Sequence, residues 1–222
     1  MDFMNLLKSV EELLYEIVSW LLFYPLTFWR CVRRPQYMMS YAQLELTGDP
    51  KSRFAEALSP PIFLFLTLAI AHLVELRYAI PTRELTGILA DGRNLLVFRA
   101  VLFSLFPLLF SVQSVRLKGL AVTRDTLRPA FYSQCYVAAP FVLIFDIATT
   151  VGRYGSIGEV VTGSAVFALG LLWYAAVLTR WFTAHAGVRA LSALLRVLGT
   201  LLVGAMLMLG LTLIVAIATA NT

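Results

Sequence analysis

This chain has little charge for its length. Of its 222 residues only 14% are Asp, Glu, Lys or Arg, while 59% are hydrophobic and the mean hydropathy is +0.80. That balance leaves too little polar surface to coat a water-soluble globule. Histidine is scarce too: His72 and His185 are the two present. With no H-E-x-x-H and no G-x-S-x-G, the chain is expected not to be an enzyme and to carry no metal or cofactor. The two cysteines, Cys31 and Cys135, both fall on the side assigned below to the cytosol, which excludes a disulfide framework. A basic leader is also missing. Asp2, Glu11, Glu12 and Glu16 face a lone Lys8, and no small-x-small site follows, so no cleavable signal peptide is expected.

What the chain does have is long apolar runs. Ser59 can N-cap a helix, and Pro60 and Pro61 suit a first turn, where their missing N–H groups would be unpaired anyway. The apolar residues that follow predict a first span over about 58–78. Further runs predict spans over about 95–115, 129–151, 160–182 and 194–218. The expected fold class is an all-α integral membrane protein: a five-helix transmembrane bundle in residues 58–222, preceded by a cytoplasmic and interfacial segment in 1–57. Pro107 and Pro140 lie inside spans and are expected to kink them. Gly163 and Gly170 in the fourth span, and Gly199, Thr200 and Gly204 in the fifth, allow close helix approach, first within the bundle and second between copies in a homo-oligomer.

The amino-terminal segment has a different pattern. Phe3, Leu6, Leu7, Val10, Leu13, Leu14, Ile17, Val18 and Leu21 recur at steps of three and four, with Lys8, Glu11, Glu12, Glu16 and Ser19 opposite them. This predicts an amphipathic interfacial helix. The apolar run over 17–29 is interrupted by Pro25, closed by Arg30 and short of the about twenty residues a span needs, so it is read as interfacial, with a sixth span as the alternative. Residues 30–57 are more polar and end on the turn signal Thr47-Gly48-Asp49-Pro50, so they are expected to lie in the cytosol. Arg30, Arg33 and Arg34 are candidates to bind lipid headgroups or a protein partner, against the plainer reading that they only fix topology. Cys31, beside this helix, is either a palmitoylation site or an inert thiol.

The formal charge of +5 does not point to nucleic acid, because the bases are scattered through loops between apolar runs. Of the 18 Lys and Arg, all but Arg77, Arg83, Arg93, Arg99 and Arg153 fall on the side of the amino terminus. The N-terminus is therefore expected in the cytosol and the C-terminus outward. Within this topology His72, Glu75, Arg99 and Asp146 share one level near the outer end of the first three spans. They form an intramembrane polar cluster in which Arg99 can pair with either carboxylate and His72 sits one turn from Glu75. Two readings stay open: a packing salt bridge, or part of an ion or substrate path.

Five spans, a cytoplasmic amino-terminal segment with an amphipathic part, a short outward C-terminus and a proline-led first span resemble the Yip family of Rab-interacting membrane proteins and their bacterial relatives. Ala57-Leu58-Ser59-Pro60-Pro61 keeps Leu58 and Pro61 of the motif that opens that family's first span, without its acidic, tyrosine and glycine positions. Phe131-Tyr132-Ser133-Gln134-Cys135-Tyr136 and Tyr24-Pro25-Leu26-Thr27-Phe28-Trp29 are similar to two further stretches of that family. The resemblance implies a non-enzymatic membrane organiser or scaffold in a bacterial cytoplasmic membrane, engaging lipids or a protein partner through its amino-terminal segment. The alternative is a small permease or channel-like subunit built on the polar cluster.

Overall fold

The structure, a computed structural model, describes residues 3–49, 53–77, 92–153 and 156–220. Every regular element among them is a helix: α1 Phe3–Arg33, α2 Pro35–Thr47, α3 Pro60–Arg77, α4 Gly92–Leu117, α5 Arg124–Gly152, α6 Ile157–Ala186 and α7 Ala190–Ala220. Within α4, α5, α6 and α7, the stretches Asn94–Leu117, Arg124–Gly152, Ile157–Ala186 and Ala190–Ile217 are long and apolar enough to cross a membrane. This is an integral membrane protein. α3 is apolar but shorter, at 18 residues. α1 has the length, with 31 residues, but is not apolar enough.

The helix ends follow local chemistry. Thr123 caps α5, its hydroxyl accepting from the Thr126 N–H while Thr126 returns the bond to the Thr123 N–H. Ser156 and Glu159 make the same reciprocal box at the start of α6. At the other end of α6, Gly187 takes a left-handed conformation (φ 63°) that a side chain would strain. α4 and α5 remain continuous helices through Pro107 and Pro140.

α5 is the axis of the bundle, packing against α1, α2, α3, α4 and α6. Ser133 to Val142 are buried without interruption, which requires neighbours on every side. Beside α6 the Phe141 ring stacks on Tyr174 at 4.7 Å, with Phe110 of α4 edge-on to Tyr174 at 5.8 Å. The two helices approach closely at Gly163, where an added Cβ would lie 2.6 Å from the Ala148 carbonyl oxygen. α7 leans mainly on α4 and α6 and leaves Leu195, Leu202, Met206, Leu213 and Ile217 exposed, as a helix facing lipid does.

Residues 30–57 are more built-in than their polarity predicts. α2 packs on α5 with Met38, Met39 and Ala42 buried, and its backbone is stitched to the bundle. Ser133 donates to the Met39 carbonyl at 2.8 Å, and Gln36 donates to the Val177 carbonyl of α6 at 2.8 Å. α2 stops at Thr47 and Gly48 is extended, while Pro50, the last residue of the expected turn, lies outside the described residues.

Candidate functional site

Three helices bring the ionisable residues together. α3 contributes Glu75, α4 Arg99 and α5 Asp146, and Arg153 just past α5 joins them. The Arg99 guanidinium forks: Nη1 donates to Glu75 Oε2 at 2.6 Å and Nη2 donates to Asp146 Oδ1. Arg153 Nη1 donates to the other Glu75 oxygen, Oε1. Two arginines and two carboxylates thus close on one another, and formal charge cancels. A planar guanidinium with parallel N–H vectors suits this bridging role in a way a lysine ammonium does not. Burial is graded. Asp146 is 7% exposed, Arg99 and Glu75 about twice that, and Arg153 46%.

Two polar atoms at this level have no partner among the described residues: Asp146 Oδ2 and His72 Nδ1. His72 is buried, with its Nε2 side against Gly92, and no hydrogen bond joins it to Glu75 among the described residues. Asp146 also lines a cleft of ≈ 540 Å³ between α3 and α5, whose other walls include Ile70, Val74, Leu143 and Thr150. The arrangement can lock three helices together. It also leaves one carboxylate oxygen and one imidazole nitrogen available to a proton or a donor.

The three amino-terminal arginines do not form one site. Arg30 donates to the Glu56 carbonyl at 3.1 Å and so ties the end of α1 to the entry of α3. Arg33 lies over the Trp29 ring, 4.3 Å from its centroid, and Arg34 is exposed at the α1–α2 junction. Cys31 is fully buried and burial pushes its thiol well above the ordinary range, which disfavours the thiolate that acylation or alkylation requires. Arg83 and the side chains of Arg77 and Arg93 lie outside what is described.

Sequence reasoning missed two features. Arg153 is expected on the same side as the cluster but not in it, although it lies seven residues after Asp146, two turns along one helix face. Gln134 is fully buried in α5 with neither amide atom partnered among the described residues. Its signal was simply a carboxamide inside an apolar run. Comparison with known proteins adds no homologue: no family model, no curated protein and no solved structure matches this chain.

Proposed function

We propose that this chain is a non-enzymatic membrane organiser of five spans, similar in plan to the Yip family, with α3 as its first span and α1 as its contact to lipid or a partner. The observation that carries this reading is the state of α1. Residues 7–18 are exposed all round the helix, and Leu7, Val10, Leu14, Ile17 and Leu21 form an uncovered apolar stripe. From Trp20 onward the helix is anchored. Tyr24 donates to Thr67 at 3.2 Å, and Thr27 accepts from the Leu58 N–H at 3.2 Å. A helix fixed at one end with an apolar stripe free at the other suits a membrane surface or a partner's groove. The N-terminus is placed in the cytosol and the C-terminus outward, in a bacterial cytoplasmic membrane.

The test is depth. A nitroxide at Leu14 in reconstituted vesicles is expected to report burial at the headgroup and upper acyl level, varying with the helical period along positions 10, 14 and 17. Full water accessibility at all three positions, with no change when other cell proteins are added, refutes the reading.

A second reading, a small permease, is favoured by one observation: Asp146 lines the α3–α5 cleft with Oδ2 unpartnered. In proteoliposomes the organiser gives no proton- or cation-coupled flux. Robust flux that Asp146→Asn abolishes, in a protein that still folds, replaces the first reading with the second.

A further inference from the structure

We propose that the cleft between the end of α4 and the start of α7 is a binding site for an anionic phospholipid, its phosphate held by Arg116 and Arg196 and an acyl chain lying in the groove beyond. The cleft is ≈ 520 Å³. Its mouth carries the two arginines, and neither has a carboxylate within salt-bridge distance among the described residues. Arg189 borders an adjoining recess that shares Arg196.

The groove behind the mouth is built from both helices. Gln113 of α4 donates to the Arg196 carbonyl at 3.2 Å, which fixes the helices at this level, while its own Oε1 is buried without a partner among the described residues. Arg196 Nε reaches Ser192 at 3.4 Å, leaving its terminal nitrogens directed elsewhere. Farther along both helices from the arginines, Leu109, Val112, Thr200 and Val203 line the cleft. An added Cβ on Gly199 would meet nothing within 4 Å, so the groove is open there. It closes one turn farther on, where an added Cβ on Gly204 would lie 2.7 Å from the Phe106 ring.

Charge, shape and position select one occupant. Two guanidiniums with no carboxylate partner among the described residues present forked donors to a phosphate, and the apolar groove continues from them along the helix axis. Basic recesses between membrane helices at a headgroup level hold anionic lipid in this way. A soluble phosphate compound would use the arginines and leave the groove unfilled. A zwitterionic lipid would fill the groove but bring a cation to the arginines. This site is separate from the lipid contact proposed for α1, and it does not depend on that contact or on the orientation of the chain.

The experiment is native mass spectrometry of the full chain released from nanodiscs with equal phosphatidylglycerol and phosphatidylcholine. Retention of phosphatidylglycerol is expected to exceed that of phosphatidylcholine on the order of ten-fold, falling several-fold in 1 M salt. Arg116→Gln with Arg196→Gln is expected to abolish the preference, and Arg116→Lys with Arg196→Lys to keep part of it. Thr200→Trp, which fills the groove and leaves both arginines, is expected to lower retention of either lipid. Glycerol 3-phosphate at millimolar concentration is expected not to displace the lipid. Equal retention of the two lipids by the parent protein, a preference unchanged by salt, or full displacement by glycerol 3-phosphate overturns the proposal. So does a double Gln variant that folds and keeps its preference.

Discussion

Arg99→Gln is the substitution that reads the polar cluster most directly, because it removes the cation shared by Glu75 and Asp146. Glu75 keeps Arg153, but that arginine is about half exposed, so the surviving pair contributes no more than ~1 kcal/mol. Asp146 is left at 7% exposure with no cation within salt-bridge distance among the described residues. Removing one partner of a buried pair costs about 3–5 kcal/mol in soluble proteins, and an isolated Asp at a helix centre in the bilayer costs about 2.5–3.5 kcal/mol. Polar contacts between membrane helices average nearer ~0.6 kcal/mol, because the unfolded chain in the membrane also finds partners. Together these place the loss at roughly 2–4 kcal/mol. Asp146→Asn should cost less, about 1 kcal/mol, since Arg99 keeps its 2.6 Å contact to Glu75 and an amide oxygen can still accept. In the double variant the orphaned charge is gone, so the loss returns toward that of Asp146→Asn alone, a coupling of up to about 2–4 kcal/mol. Reversible unfolding in bicelles, read as a four-variant cycle, measures it. Additivity within about 0.5 kcal/mol, or a cost for Arg99→Gln no greater than for Asp146→Asn, refutes the linked network.

Gly163→Ala should destabilise the bundle by about 1–3 kcal/mol, because the new Cβ would meet the Ala148 carbonyl oxygen and the Gly152 nitrogen, both backbone. Gly199→Ala, in open space, should be neutral or stabilising by up to ~1 kcal/mol, and thermal unfolding in detergent separates the two. Deleting residues 1–18 should leave the unfolding temperature unchanged. Deleting 1–29 should lower it, since Tyr24, Thr27 and Phe28 pack on α3, and equal stability of the two truncations would contradict the anchor. Cys31 and Cys135 should resist maleimide at pH 8 in the folded protein and react on unfolding; both are fully buried, and labelling before unfolding would show the packing around α1 and α5 to be wrong.

The apolar runs made α4 to α7 legible, since a stretch that long with so few charges has no other stable setting. Their ends were less so. α5 begins at Arg124, ahead of the expected 129, because its cap is a Thr123–Thr126 pair in place of the usual Ser/Thr with Glu or Gln. The start of α6 carried the readable form, Ser156 followed by Glu159. α2 was the larger omission. Its inward residues Met38, Met39 and Ala42 are few and its outward ones include Tyr37 and Leu44, so hydrophobic periodicity is weak; what holds it are bonds to Ser133 and Val177, more than ninety positions away by number. Local pattern cannot report such pairings. The polar cluster was legible by depth, because Glu75, Arg99 and Asp146 lie at similar distances from their span ends. The choice of partners, and the entry of Arg153, needed the helices placed side by side.

The proposed fifth span turns on the short α3, and the register of α3 against α5 supports that reading. The Leu58 carbonyl accepts from the Tyr136 hydroxyl at 2.7 Å at one end, and Glu75 meets Arg153 at the other. The two helices therefore run parallel, and from 58 to 75 and from 136 to 153 they rise by the same amount, about 25 Å at 1.5 Å per residue. α3 thus runs beside α5 after Tyr136 over a length close to the ~30 Å of a hydrocarbon core, which supports the proposed fifth span. The first turns of α5, Arg124 to Cys135, extend beyond α3, and this is where α2 packs, with Met39 against Ser133. α2 fills the place beside α5 that α3 does not reach, which explains why Met38, Met39 and Ala42 are buried in so polar a segment. Spin labels at Phe65 of α3 and Leu44 of α2, both exposed apolar positions, should separate the two levels. Phe65 should report the hydrocarbon core, accessible to oxygen and closed to a water-soluble nickel reagent, and Leu44 the interface, open to both. Equal accessibility at the two positions would mean that α3 does not cross the bilayer, and that four spans are the whole of the membrane domain.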